Sequence, residues 1–116
     1  MSAKAVDIGW AAGFFDGEGA MTTYNPRNSS GARSRRVYVH VSIAQVDREP
    51  LDRFAQIVGA GKVTGPYRAY TPGQQKQFRW GITAIADVRR VHRLLYSYLS
   101  TRRQAQFDKA LAKDTR

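Results

Sequence analysis

The stretch Trp10-Ala11-Ala12-Gly13-Phe14-Phe15-Asp16-Gly17-Glu18-Gly19 constrains this chain more than any other. At about 100° per residue, a helix through it sorts side chains by size rather than by polarity. Gly9, Ala12, Gly13 and Asp16 fall on one face, while Trp10, Phe14 and Phe15 spread over the other. The bulky side calls for an apolar core, and the small side lets another backbone come very close. A helical glycine costs about 0.8–1 kcal/mol against alanine, so Gly9 and Gly13 need a compensating contact such as a second helix. Gly17 and Gly19 are suited to the positive φ angles that end helices. Asp16 and Glu18 are then left at the negative end of a helix dipole, which disfavours carboxylates by about 0.3–1 kcal/mol. Acids there are misplaced for stability and well placed for a cation. The plainer alternative is a buried helix with a glycine-rich exit.

At 116 residues the chain suits one domain with one core, and 42% hydrophobic against 24% charged residues is a globular mixture. The absence of cysteine excludes disulfides and thiolate zinc sites. No apolar run approaches the roughly 20 residues of a membrane span, and no signal-peptide pattern opens the chain. These features favour an intracellular protein with no membrane partner. The net charge of +10 calls for a polyanion. His40 and His92 do not form a metal cluster. No glycine-rich loop ends in lysine, so neither nucleotide hydrolysis nor another small-molecule substrate is supported.

Periodicity predicts the order αββαββαα, an α+β fold. A first helix covers Val6–Asp16 and a strand Ala20–Asn25; a polar, basic loop to Ser34 carries Arg27 and Arg33. Arg35–Ala44 is the clearest strand, with Val37, Val39, Val41 and Ile43 alternating with Arg36, Tyr38, His40 and Ser42. Asp47 and Pro50 start a second helix striped by Leu51, Phe54, Ile57 and Val58, which ends at Gly59-Ala60-Gly61. A second hairpin pairs Lys62–Tyr70 with Gln75–Thr83. In it Lys62, Thr64, Arg68 and Tyr70 share one parity, and Gln75, Gln77 and Arg79 another polar row. Thr83 caps a long helix striped by Ile85, Val88, Val91, Leu95 and Tyr98. A basic break at Ser100-Thr101-Arg102-Arg103 leads to a last helix through Leu111.

Strand faces of Arg, Tyr, His, Gln and Thr suit the reading of base edges, since arginine bonds guanine and glutamine adenine, and a two-stranded ribbon fits the major groove. The candidates for duplex DNA are Arg27, Arg33, Arg35, Arg36, Tyr38, His40, Ser42, Arg68, Tyr70, Gln75, Gln77 and Arg79. A merely solvated face would also alternate. It would mix in acids, however, and none occurs between Gly19 and Asp47 or between Asp52 and Asp87.

Ala11–Gly19 resembles the motif of the LAGLIDADG homing endonucleases. Ala11 stands at the usual leucine, Phe14 and Phe15 at the central apolar positions, and Asp-Gly-Glu-Gly at the acid-small-acid-glycine end. The element order is similar to that of a single-motif subunit across nearly the whole chain. The resemblance implies one domain over residues 1–116 with a saddle-shaped antiparallel sheet. It also implies a homodimer joined through the face of Gly9, Ala12, Gly13 and Asp16, which makes the target pseudo-palindromic. Glu18, at the motif's second acid, is then the ligand for Mg²⁺ or another divalent ion. Asp16 is expected to bond structurally near the helix ends. Gln45 resembles the glutamine that orders water near the metal, and Arg102 or Arg103 stands near the position of a phosphate-approaching base. The implied activity is cutting of a long duplex site to short 3′ overhangs by an enzyme that is intron-encoded, intein-encoded or free-standing. A non-cleaving DNA-binding regulator and an RNA-binding intron maturase are the alternatives on the same scaffold.

Overall fold

A computed structural model describes residues 4–68 and 71–116. Tyr70, one of the candidate DNA contacts, lies outside the described residues. The elements are α1 (Ala5–Glu18), β1 (Gly19–Tyr24), β2 (Tyr38–Gln45), α2 (Glu49–Val58), β3 (Lys62–Tyr67), β4 (Gln77–Ile82), α3 (Ile85–Leu95), a 3-10 turn (Tyr96–Tyr98) and α4 (Thr101–Lys113). The order is the one that periodicity predicts, α+β with the helices packed on one face of a four-stranded antiparallel sheet ordered β1-β2-β4-β3.

The core lies on one side of that sheet. Val39, Val41 and Ile43 of β2 and Trp80 and Ile82 of β4 meet Phe15, Phe54, Val88, Val91, Leu95 and Phe107 from the helices. Phe54 sits edge-on to Trp80 at 4.7 Å between ring centres and stacks with Phe15 at 6.2 Å. Trp80 donates its indole N–H to the carbonyl of Ala60 at 2.9 Å. Gly61, at φ +85°, leaves room for that indole: a Cβ there would collide with it. Because the helices cover one face only, the alternate residues of every strand form an open second face. No helix of the described residues is long and apolar enough to cross a membrane.

Several local expectations give way to tertiary contacts. Gly17 and Gly19 do not take positive φ; α1 runs straight into β1 through an extended Gly19 at φ −71°. Glycine is required at 19 for space, since a Cβ would stand 2.6 Å from the Phe15 ring and carbonyl. Thr83 does not cap α3, whose N-cap is Ala84; its hydroxyl bonds His40 Nδ1 at 3.1 Å instead. The 3-10 turn breaks the α3 periodicity, so Tyr98 is 50% exposed rather than part of the stripe. The second strand starts at Tyr38, so Arg35 and Arg36 precede it, and Gln75 likewise precedes β4. Between β1 and β2 the chain folds back on itself. Arg27 pairs with Arg33, and Asn28 Oδ1 accepts from the N–H groups of Ser30 and Ala32 and from the Ser30 hydroxyl.

Candidate functional site

Glu18 is the last residue of α1, and Gly19 pairs with Ile43, which brings the exposed Glu18 carboxylate to the end of β2. Gln45, the final residue of β2, donates from Nε2 to Glu18 Oε2 at 3.0 Å. The two candidates thus meet although 27 positions separate them in sequence. The bond orients the carboxylate and leaves oxygen lone pairs open to solvent. A carboxylate beside the unsatisfied carbonyls of a helix C-terminus is a hard-oxygen donor set, which fits a divalent ion such as Mg²⁺. Among the described residues, no group of three or more His, Cys, Asp or Glu stands together.

Asp16 has a different role. Its carboxylate accepts from the backbone N–H of Ser100 (3.1 Å) and the Ser100 hydroxyl (2.8 Å), while Ser100 Oγ accepts from the Arg103 N–H. This ties the end of α1 to the start of α4 within the chain. Arg103 completes the tie by donating from Nη2 to the Asp16 carbonyl at 2.8 Å and from Nη1 to Gln106 Oε1 at 2.7 Å. Its guanidinium lies 5.2 Å from the centre of the Phe15 ring. Arg103 is 5% exposed, so of the two arginines considered for approach to a phosphate it is the one turned into the fold. Burial pulls its pKa below the usual arginine value, with neighbouring Arg102 adding to the fall and Asp16 opposing it. Arginine remains charged despite such a shift. Arg103 is therefore a brace under the turn that carries Glu18, and Arg102 alone of the pair faces solvent.

The open sheet face brings together Tyr38, His40 and Ser42 of β2 with Gln77 and Arg79 of β4. Register adds residues that sequence alone missed. Thr22 lies opposite His40 and Tyr24 opposite Tyr38. On β3, Thr64 pairs with Arg79 but Tyr67 with Gln77, three steps against two. This bulge at Gly65-Pro66 puts Tyr67 on the open face and breaks the parity that assigned Arg68 to it. The Tyr67 hydroxyl donates to Thr64 Oγ1 at 2.8 Å, and the Arg79 guanidinium lies 5.2 Å from the Tyr67 ring centre. Gly-Pro within a strand was the available signal, because both residues mark bulges and edges. Arg27, Arg33, Arg35 and Arg36 are all exposed along the β1–β2 connection, and Arg27 also donates to the Gly31 carbonyl. All nine acids lie on helices or in the turns beside them, so the open face carries cations and no carboxylate.

The small face of α1 is rotated from the expected one. Ala12 is wholly buried in the chain's own core, so it lines no interface. The outward stripe is Val6, Gly9, Gly13 and Gly17. Val6 is 74% exposed, and beyond the adjoining turns of the helix a Cβ on any of the three glycines would meet nothing within 4 Å.

No protein-family model matches the sequence, and no curated protein matches it. Solved structures do match. The homing endonuclease I-TnaI superposes at a TM-score of 0.68 with 22% identity, over 97% of this chain and 71% of its own. I-CvuI in complex with its target and Ca gives 0.70 at 20% identity, over 92% of this chain and 64% of that one. The group I intron-encoded I-CeuI complexed with DNA gives 0.71 at 12% identity, over 97% and 55%. At these identities the likeness establishes the fold, which is that of the homing endonucleases. The chain spans between about half and three-quarters of the length of these three proteins.

Proposed function

We propose that this chain is a site-specific endonuclease for duplex DNA, acting as a homodimer with a divalent cation held at Glu18. The observation that carries the reading is the Glu18–Gln45 pair, set at one end of a sheet face that bears arginine, histidine, tyrosine and glutamine but no acid. An acid-free face of this kind follows a phosphate backbone electrostatically, and its Gln77 and Arg79 offer hydrogen bonds to base edges.

Phosphodiester hydrolysis requires an activated water and neutralisation of charge on the phosphate and the leaving oxygen, which Mg²⁺ supplies when bound. Glu18 would hold that ion through its carboxylate oxygens. Gln45 holds the carboxylate in one orientation, and the Arg103 brace fixes the helix turn beneath it. Arg102, exposed on the first turn of α4, is the cation available to a phosphate. One chain supplies one such carboxylate, so cutting both strands requires two copies. The glycine stripe of α1, open on its outer side, permits the close helix pairing that would put two Glu18 residues near a twofold axis.

The test is Glu18→Gln, assayed for nicking and for DNA affinity with and without Mg²⁺. Cleavage is expected to vanish while affinity changes less than about threefold, because the sheet supplies the binding. Undiminished cleavage removes Glu18 from the mechanism. DNA binding without cleavage by the unaltered chain favours a regulator on this scaffold, and preference for RNA over duplex favours a maturase.

A further inference from the structure

β2 runs from Tyr38 to Gln45, but β4 pairs with it only from Val41 to Gln45. Beyond that point the β4 side of β2 would be a bare strand edge. Residues after α4 take its place. The Thr115 N–H donates to the Val37 carbonyl at 2.9 Å and Thr115 Oγ1 accepts from the Val37 N–H at 3.0 Å. Asp114 Oδ2 accepts from the Val39 N–H at 3.0 Å, and Arg116 Nη2 lies 3.5 Å from the Val39 carbonyl. Three residues thus meet the backbone groups that a continued β4 would have met.

Asp114 and Thr115 make the short hydrogen bonds that close the edge, and Arg116 neutralises the buried Asp114 carboxylate from a position over the open face. The Asp114 side chain is 1% exposed and grips the guanidinium at two points, Nε at 3.1 Å and Nη2 at 2.6 Å. The guanidinium lies over the Tyr38 ring at 4.2 Å, and Tyr38 stands edge-on to Tyr24 at 5.9 Å. Both tyrosines belong to the open face. Arg116 is therefore an arginine held from behind by a carboxylate and from below by an aromatic ring, with Nη1 making no hydrogen bond among the described residues. A fork immobilised in this way loses little further rotamer freedom on bonding, which favours bidentate recognition.

We propose that Arg116, positioned by Asp114 and Tyr38, is a specificity-determining residue that reads guanine at the outer end of the DNA site. The inference rests on the duplex-binding reading above. Seven residue steps separate Tyr38 from Gln45, about 23 Å at roughly 3.3 Å per strand residue. At about 3.4 Å per base pair this is roughly seven base pairs outward from the Glu18–Gln45 end.

The experiment is selection of sites from randomised duplex DNA by the full chain, its Arg116→Ala and Arg116→Lys variants, and an Arg79→Ala control. Thermal unfolding of each establishes that it is folded. The unaltered chain is expected to enrich guanine at one outer position. Arg116→Ala should lose that preference by about 5- to 100-fold and keep the inner preferences, which Arg79→Ala should disturb instead. Arg116→Lys should not restore it, since an ammonium lacks the fork. An unchanged outer preference overturns the inference, as does a uniform loss across all sequences, which would mean a phosphate contact. A wild-type chain that enriches no duplex sequence removes the DNA reading itself, and this inference with it.

Discussion

Gly13→Leu should strengthen the single chain and break the pair, two effects of opposite sign from one substitution. Gly9, Gly13 and Gly17 all lie within α1, yet beyond the adjoining turns of that helix a Cβ on any of them would meet no atom of the chain within 4 Å. Each costs about 1 kcal/mol against alanine, so together they withdraw roughly 3 kcal/mol from the helix. That is a large share of the roughly 5–15 kcal/mol that holds a domain folded. No contact inside the chain accounts for it. Leucine is nearly as good a helix former as alanine, so Gly13→Leu should stabilise an isolated chain by about 1 kcal/mol, roughly 4 °C in Tm. In a dimer packed through this stripe, the same leucine is overpacked at about 1–3 kcal/mol or more. It also displaces both Glu18 carboxylates from their shared axis. Sedimentation across a concentration series, with and without DNA, reads the pairing, and thermal unfolding at high dilution reads the chain. An unchanged dimerisation constant, or an unaltered chain that stays monomeric even on DNA, would refute the reasoning. A leucine variant that melts lower as a monomer would refute the claim that this face is open.

Two further predictions concern the braces. Arg103→Met should cost about 2 kcal/mol, since it removes charge-assisted hydrogen bonds to Asp16 and Gln106 while relieving part of the burial penalty. Arg102→Ala should leave Tm unchanged and reduce the salt dependence of DNA binding by about one unit of slope; the reverse pattern in calorimetry and gel-shift titrations would exchange their roles. The Arg116 guanidinium beside Asp114 holds its carboxyl at about 2, against an ordinary 3.8. Ionised Asp114 therefore stabilises the fold above pH 4 by about 2 kcal/mol, and that contribution is lost as pH falls through 2. Asp114→Asn should accordingly lower stability at neutral pH and converge with the unaltered chain near pH 2, as followed by denaturant titration at each pH; a constant deficit across that range would refute it.

The sequence alone determined the element order, the apolar face of each strand, the acid-free character of the sheet and the placing of Glu18 at a helix end. These depend on local periodicity and on composition, which need no knowledge of neighbours. Through the resemblance it set Glu18 and Gln45 each near a metal; the 3.0 Å bond between the two side chains is a fact of the tertiary structure. Only tertiary structure decided which arginine of the Arg102–Arg103 pair is buried, because a one-residue step on a helix turns a side chain by about 100°. Helix phase likewise exchanged Ala12 for Gly17 on the outward stripe, a rotation that a wheel drawn without the core leaves open. The bulge that brings Tyr67 to the face, and so breaks the parity that assigned Arg68 there, depends on how β3 pairs with β4. Arg116 was invisible for the same kind of reason. Its place beside Tyr38 exists only because β4 stops short and residues 114–116 return to a strand far away in sequence to satisfy the backbone left bare.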